Sequence, residues 1–327
     1  MSVKSNLSTC AYAPASIGNV NLGFDVLGAA LSPVNGTLLG DSVTVKPLRH
    51  SSPFSLTVGG EFADKLPTNI DENIVTQCFV YFVSSLKAKS IDIPNVAMHL
   101  EKRLPIGSGL GSSASSIVAA FHALNSYFDN PFNETDLLLM MGQLEGQISG
   151  GIHYDNVAPC YLGGMTLMTG DDAIPVTQLP LLDDWYWTVS FSGLSVSTAS
   201  ARGILPKQYP TEDVLTFGRQ LGVFVDALHR QDSAQAARVM HDVIAEPYRK
   251  SLLPGFDQAR IYSLQNGADA FGISGSGPTV FAVSNSLEKA NVIGEYLHSH
   301  YVQNNNGFTH VCTLCQEGAR IEHQQAS

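Results

Sequence analysis

Charged residues are scarce in this chain, and its basic residues scarcest of all. Only 14% of its 327 residues are Asp, Glu, Lys or Arg, with 18 basic against 29 acidic, for a net charge of −11. No Lys- or Arg-rich run stands out, which argues against a nucleic-acid partner. No apolar run nears the roughly 20 residues that span a bilayer, so no membrane segment is expected. The N-terminus has no basic stretch followed by an apolar core, so no signal peptide is expected and a cytosolic protein is. Cysteine is sparse as well: Cys10, Cys78, Cys160, Cys312 and Cys315. The last two form a CxxC, but no second Cys/His pair stands near to complete a zinc site, so they read as alternate positions of a strand.

What is present is an apolar share of 44% with no repeat or low-complexity block, enough for a sizeable core. Strands are expected at 9–16 ("TCAYAPAS"), in "SVTVKP" and "FSLTVG", and in "VAMHLEKRL". Apolar stripes at helical spacing mark helices over 71–86 (Ile74, Val75, Cys78, Phe79, Phe82, Val83), after residue 112 (Ile117, Val118, Phe121, Leu124, Phe128) and over 134–149. Further helices are expected around 212–230, 233–245 and 286–299. Strands are expected at 185–191, on either side of the turn in 269–284, and at 308–315, which closes the chain. This irregular alternation points to an α+β fold with antiparallel pairs.

One stretch carries chemistry: "PIGSGLGSSASS", residues 105–116. A P-loop requires a lysine that is missing here, and a dinucleotide fingerprint requires glycine where Ser112 stands. A Rossmann oxidoreductase is therefore excluded. Yet strand, Gly/Ser loop and helix follow in order. Amides of a glycine-bent turn and of the first helical turn bind phosphate oxygens without a lysine, aided by the helix dipole. Glycines 107, 109 and 111 permit close approach. The hydroxyls of Ser112 and Ser113 suit a phosphate oxygen and a Mg2+ ion. The plainer alternative is an ordinary connection with a serine helix cap. Glu145, near the edge of a helix face, is either a solvated carboxylate or a ligand to a metal carried by a nucleotide. "GGIHYDNVAP" gathers His153, Asp155 and Asn156 in one turn, as a site-lining loop does; Asp-Asn pairs also simply build turns. The "GSG" at 275–277 is a second tight turn, approaching the first loop or merely joining a hairpin.

Three stretches in order, "APASIGNVNLGFDVLGAAL", "PIGSGLGSSAS" and "GISGSGPT", resemble the three motifs of the GHMP small-molecule kinases. With "LEGQISGGIHYDNVAP", "STASARGILP" and "VIAEPYR", the similarity runs over nearly the whole chain and goes furthest with the homoserine-phosphorylating branch. The resemblance implies a two-domain α+β fold. Residues 1–168 would form an α/β domain like domain 2 of ribosomal protein S5, and 169–327 a ferredoxin-like domain whose last strand returns to the first. It implies ATP-dependent phosphorylation of L-homoserine to O-phospho-L-homoserine, a step in threonine biosynthesis, by a homodimer. ATP would lie in the loop Pro105, Ile106, Gly107, Ser108, Gly109, Leu110, Gly111, Ser112, Ser113, Ala114 and Ser115, its adenine near Asn73 and Val75. Ser113 and Glu145 would hold Mg2+. Homoserine would be held by Asn19, Asp25, His153, Asp155, Asn156, Arg202 and Arg249, with Asn156 orienting the attacking hydroxyl and Arg202 also reaching the γ-phosphoryl group. An arginine fork suits the α-carboxylate and an aspartate the ammonium. The rivals are a relative acting on mevalonate or a sugar, and a non-catalytic sensor; the presence of both Ser113 and Glu145 favours an enzyme.

Overall fold

The computed structural model describes residues 7–49, 52–91, 93–149, 151, 153–171 and 173–326. The first half runs through strands Leu7–Pro14 (β1), Ser16–Gly18 (β2), Leu27–Pro33 (β3), Gly40–Pro47 (β4) and Phe54–Gly59 (β5). Helix Ile74–Ala88 (α1), strand Val96–Glu101 (β6) and helices Ser112–Tyr127 (α2), Glu134–Ser149 (α3) and Val157–Leu162 (α4) follow. The second half continues with Met165–Asp171 (β7), Ile174–Leu179 (β8), Tyr186–Phe191 (β9), then helices Thr198–Gly203 (α5), Thr211–His229 (α6), Ser233–Val239 (α7), Glu246–Arg249 (α8) and Phe256–Gln265 (α9). Strands Ala270–Ile273 (β10) and Val280–Ser284 (β11), helix Leu287–His300 (α10) and strands Phe308–Leu314 (β12) and Arg320–Ala326 (β13) complete it.

Two sheets organise these elements. One has the order β13-β1-β4-β6-β5, antiparallel except between β5 and β6. Helices α1 to α4 bury their apolar stripes against it and one another. Phe82 stands at the centre of that core, its ring within 6.1 Å of those of Phe121, Phe128 and Phe132. The other sheet runs β10-β11-β9-β12-β3-β7-β8, with β2 paired to β3. Its strands β9 to β12 stand in the antiparallel order of a βαββαβ ferredoxin-like unit, and β3, β7 and β8 extend it. Trp187 and Phe281, both fully buried, pack in its core.

Three expectations change. The strand at 308–314 does not end the fold, because β13 follows and pairs with β1. The helix expected over 233–245 stops at Val239: the Asp242 carboxylate accepts the amides of Ile244, Ala245 and Glu246, diverting the backbone from the helical ladder. The helix expected from Asp71 starts at Ile74, capped by Asn73, whose side chain accepts from the Val75 amide at 2.9 Å.

Candidate active site

The glycine loop between β6 and α2 is held from beneath by charge. Asp41, fully buried at the start of β4, accepts the amides of Arg103 at 2.8 Å and Leu104 at 3.0 Å through one oxygen. Its other oxygen meets the buried Lys102 ammonium and the Ser116 hydroxyl at 2.6 Å. Lys102 also donates to the Ser112 carbonyl and the Ser116 hydroxyl, each at 3.0 Å. The loop itself contains no lysine, yet an ammonium lies directly under its helix end. Leu110 plugs the loop into the apolar core, and Gly107, Gly109 and Gly111 take φ of +68°, +81° and +63°. At Gly109 a Cβ would lie 2.4 Å from the Ser274 carbonyl, so only glycine fits there. Gly111 is the N-cap of α2 and brings no side chain to its first-turn amides, which helix geometry leaves without partners in the helix.

The turn between β10 and β11 packs on this loop. Ser274 donates its hydroxyl to the Gly109 carbonyl at 2.6 Å, and the Thr279 amide donates to Ser108 O at 3.1 Å. The segment 194–204 crosses from the other side: the Val196 amide meets the Gly107 carbonyl at 3.0 Å and the Ser195 hydroxyl that of Ile106 at 3.2 Å. Between these pieces lies a cavity of about 550 Å3.

At one end of the cavity Ser113 donates its hydroxyl to Glu145 at 2.7 Å. Burial pushes the Glu145 carboxyl up, opposed by the Ser113 bond and Lys102. A hydroxyl and a carboxylate side by side are hard oxygen donors that suit Mg2+ held jointly with a polyphosphate. Among the described residues, no cluster of three or more His, Cys, Asp or Glu is set to hold a metal without such help.

At the other end charges are paired. Arg202 forks onto Asp25 at 2.9 and 3.1 Å, and the His153 Nδ1 lies 3.7 Å from the same carboxylate. Burial keeps the His153 imidazole below its ordinary range. Buried Arg249 donates to the carbonyls of Ala201 at 3.1 Å and Gly275 at 2.8 Å, with the Phe24 ring 5.2 Å away. Asp155 is buried, and burial, with the charges of Asp25 and Glu145, raises its carboxyl to about 7. The segment that carries Asp25 is strained: Asn19, Val20, Asn21 and Asp25 all have positive φ, and for β-branched Val20 that is an outlier. Side-chain bonds hold it there. Asn19 accepts the Asp25 amide at 3.0 Å and donates to Gly275 O, while Asn21 donates to Met240 O and Phe271 O.

All seven residues expected at the acceptor, Asn19, Asp25, His153, Asp155, Asn156, Arg202 and Arg249, line this one cavity, as do Ser113, Glu145 and loop residues 106–109 and 111–113. The rest of the loop does other work. Pro105 is buried, Leu110 and Ala114 pack in the cores, and Ser115 donates to Ala13 O while accepting the Asp41 amide. The Ser112 hydroxyl turns back to the Leu104 carbonyl at 3.1 Å rather than outward. Asn73 caps α1 and Val75 lies in the core, so the side chains bordering the cavity there are Glu72, Ile74 and Gln77, with Leu66 and Pro67. Sequence reasoning also missed Lys102 and Ser16. Lys102 left one signal, a charge following an apolar strand, and Ser16 only its place in the first of the three motifs.

Among the described residues no helix is long and apolar enough to cross a membrane. The GHMP kinases N-terminal domain profile matches residues 73–164, and the GHMP kinases C-terminal profile matches 224–303. The chain is similar to the crystal structure of homoserine kinase from Cytophaga hutchinsonii, at 34% identity over 98% of both chains with a TM-score of 0.87. Mevalonate kinase of L. major in complex with R-mevalonate aligns over 96% of this chain and 98% of its own at 15% identity and a TM-score of 0.67. Streptococcus pneumoniae phosphomevalonate kinase aligns over 98% of this chain and 100% of its own at 11% identity and 0.67. These last two share the fold.

Proposed function

The chain belongs to the GHMP kinases, a two-domain α+β family, and from that premise we propose that it transfers the γ-phosphoryl group of ATP to the side-chain hydroxyl of L-homoserine. The observation that carries this reading is one cavity with the loop amides and the Ser113–Glu145 pair at one end and a balanced set of aspartates and arginines at the other. An acceptor with both an ammonium and a carboxylate matches that set. Mevalonate has no ammonium and would leave a buried carboxylate unpaired, at a cost of about 1–3 kcal/mol.

Phosphoryl transfer requires alignment and charge neutralisation more than covalent chemistry from the protein. The amides at 107–113 would receive the triphosphate, and Ser113 and Glu145 would hold Mg2+, which neutralises phosphoryl oxygens. Asp155 and Asp25 would take the ammonium, and Arg249 and Arg202 the carboxylate. Asn156 lies between the two ends and orients the hydroxyl. An amide accepts no proton, so this reading places no dedicated base on Asn156. The hydroxyl proton leaves with the phosphate or solvent as transfer proceeds.

The experiment is an ADP-release assay with Mg2+-ATP and L-homoserine, D-homoserine, L-serine or mevalonate. L-homoserine should give kcat/KM at least about tenfold above each of the others; equal or faster turnover of mevalonate would overturn the reading.

A further inference from the structure

Asn156 is the N-cap residue of α4, a position where asparagine ordinarily bonds to the helix amides, yet its side chain makes no capping bond. It is held elsewhere. Its Nδ2 donates to Asp155 Oδ2 at 3.2 Å, and its Oδ1 accepts from the Ser16 hydroxyl at 2.8 Å. The first contact fixes the second. The ionised Asp155, the form that meets an ammonium, only accepts, so in that form the amide nitrogen faces Asp155, the oxygen faces Ser16, and the Ser16 hydroxyl donates.

Ser16 is fully buried on β2, and its amide donates to Leu110 O in the glycine loop at 3.1 Å. A Cβ built on Gly111 would lie 2.1 Å from the Ser16 hydroxyl and 3.2 Å from Asn156 Oδ1, so the loop apex rests on the pair. The neighbouring Cys160 thiol, pushed up to about 12 by burial and lowered in part by the Ser16 hydroxyl beside it, stays protonated and donates to Pro14 O at 3.0 Å.

We infer that Ser16 is a positioning residue: through one amide and one hydroxyl it fixes the Asn156 side chain against the phosphate loop, so that the acceptor hydroxyl meets a donor –NH2 at a set distance from the loop. The inference rests on the proposed kinase reading for what Asn156 does, but not for the bond itself.

The test uses the full chain carrying Ser16→Ala, Asn156→Ala and both together. Ser16→Ala should lower kcat for L-homoserine about 10- to 100-fold, the cost of misplacing a reacting group by an ångström or less, with KM for ATP within about twofold of wild type. In the Asn156→Ala background the same change should alter kcat by less than about twofold, because the group it positions is gone. Additive losses would overturn the inference, since they would mean that Ser16 acts on something other than Asn156. If Ser16→Ala does not fold, Ser16→Cys, of similar size but a weak donor, takes its place in the same cycle.

A second readout does not depend on turnover. In protein with 15N-labelled asparagine, the side-chain amide pair that disappears in Asn156→Ala should shift in Ser16→Ala and exchange with solvent at least about tenfold faster. An unchanged pair would overturn the inference. Were wild-type protein to phosphorylate no alcohol, the kinase reading would be lost and the amide signals alone would decide the role of Ser16.

Discussion

Asp155 carries its charge unwillingly. Buried, and facing Asp25 and Glu145, it keeps its proton up to about pH 7, whereas in an unfolded chain it would lose it near pH 4. The folded form therefore binds more protons across that window, and the contribution of Asp155 to stability falls as pH rises from about 4 to about 7. An ammonium beside it reverses the preference. Binding of an amino-acid alcohol should require the ionised form, so kcat/KM for L-homoserine should fall about tenfold per pH unit below about 7. Measured between pH 5.5 and 8.5, a flat profile would contradict this role. At the other end of the cavity, Glu145→Gln should lower kcat about 10²- to 10³-fold and raise the Mg2+ concentration for half-saturation. A Mg2+ titration reads both effects. At this scale the sequence showed much: every residue expected at the acceptor lines the cavity, because each lies in a dense local motif. The roles of Ser16 and Lys102 were not legible, since each acts through partners far away along the chain or across the fold. Asn73 and Val75 do not themselves line the cavity while Glu72, Ile74 and Gln77 beside them do, because a motif marks a segment and not which of its side chains face outward.

The element that matters most is the glycine loop, and it is rigid because its surroundings dictate its shape. Removing the charge of Asp41 by Asp41→Asn leaves Lys102 buried without a counter-ion, a loss of about 3–5 kcal/mol. The melting temperature should drop on the order of 10 °C, and a change under 2–3 °C, roughly 1 kcal/mol, would show that the pair does not hold the loop. Gly109→Ala tests the contact between the two loops. Its φ of +81° and the Ser274 carbonyl 2.4 Å from the new methyl group force the loops apart. KM for ATP should rise at least about tenfold, as read by initial rates. Long helices with clear apolar stripes, such as α1, α2 and α3, were legible from sequence. Strand β3 was not, because "LGAALSP" is nearly all small or apolar and shows no alternation. Strand β13 was missed because its "RIEHQQA" is mostly polar. The early stop of α7 came from Asp242 competing for backbone amides, which periodicity does not register.

Over the whole molecule, the two sheets meet at the cavity. β1 and β2 lie in different sheets, with only Ala15 between them, so the chain passes from the sheet under the phosphate loop to the sheet bearing Trp187 and Phe281 next to Ser16. Arg202 and Arg249 come from the second half of the chain and Asp25 and Asp155 from the first, so the acceptor end exists only when both halves are in place. The central claim is that this junction accepts an amino-acid alcohol and aligns its hydroxyl with a triphosphate. Its most direct test is 31P NMR of the product formed from Mg2+-ATP and L-homoserine by the wild-type protein. The account requires a phosphomonoester signal that grows with ADP and is coupled to the protons of the homoserine side-chain CH2–O group; ADP accompanied only by inorganic phosphate, or no turnover while mevalonate is phosphorylated, would contradict it.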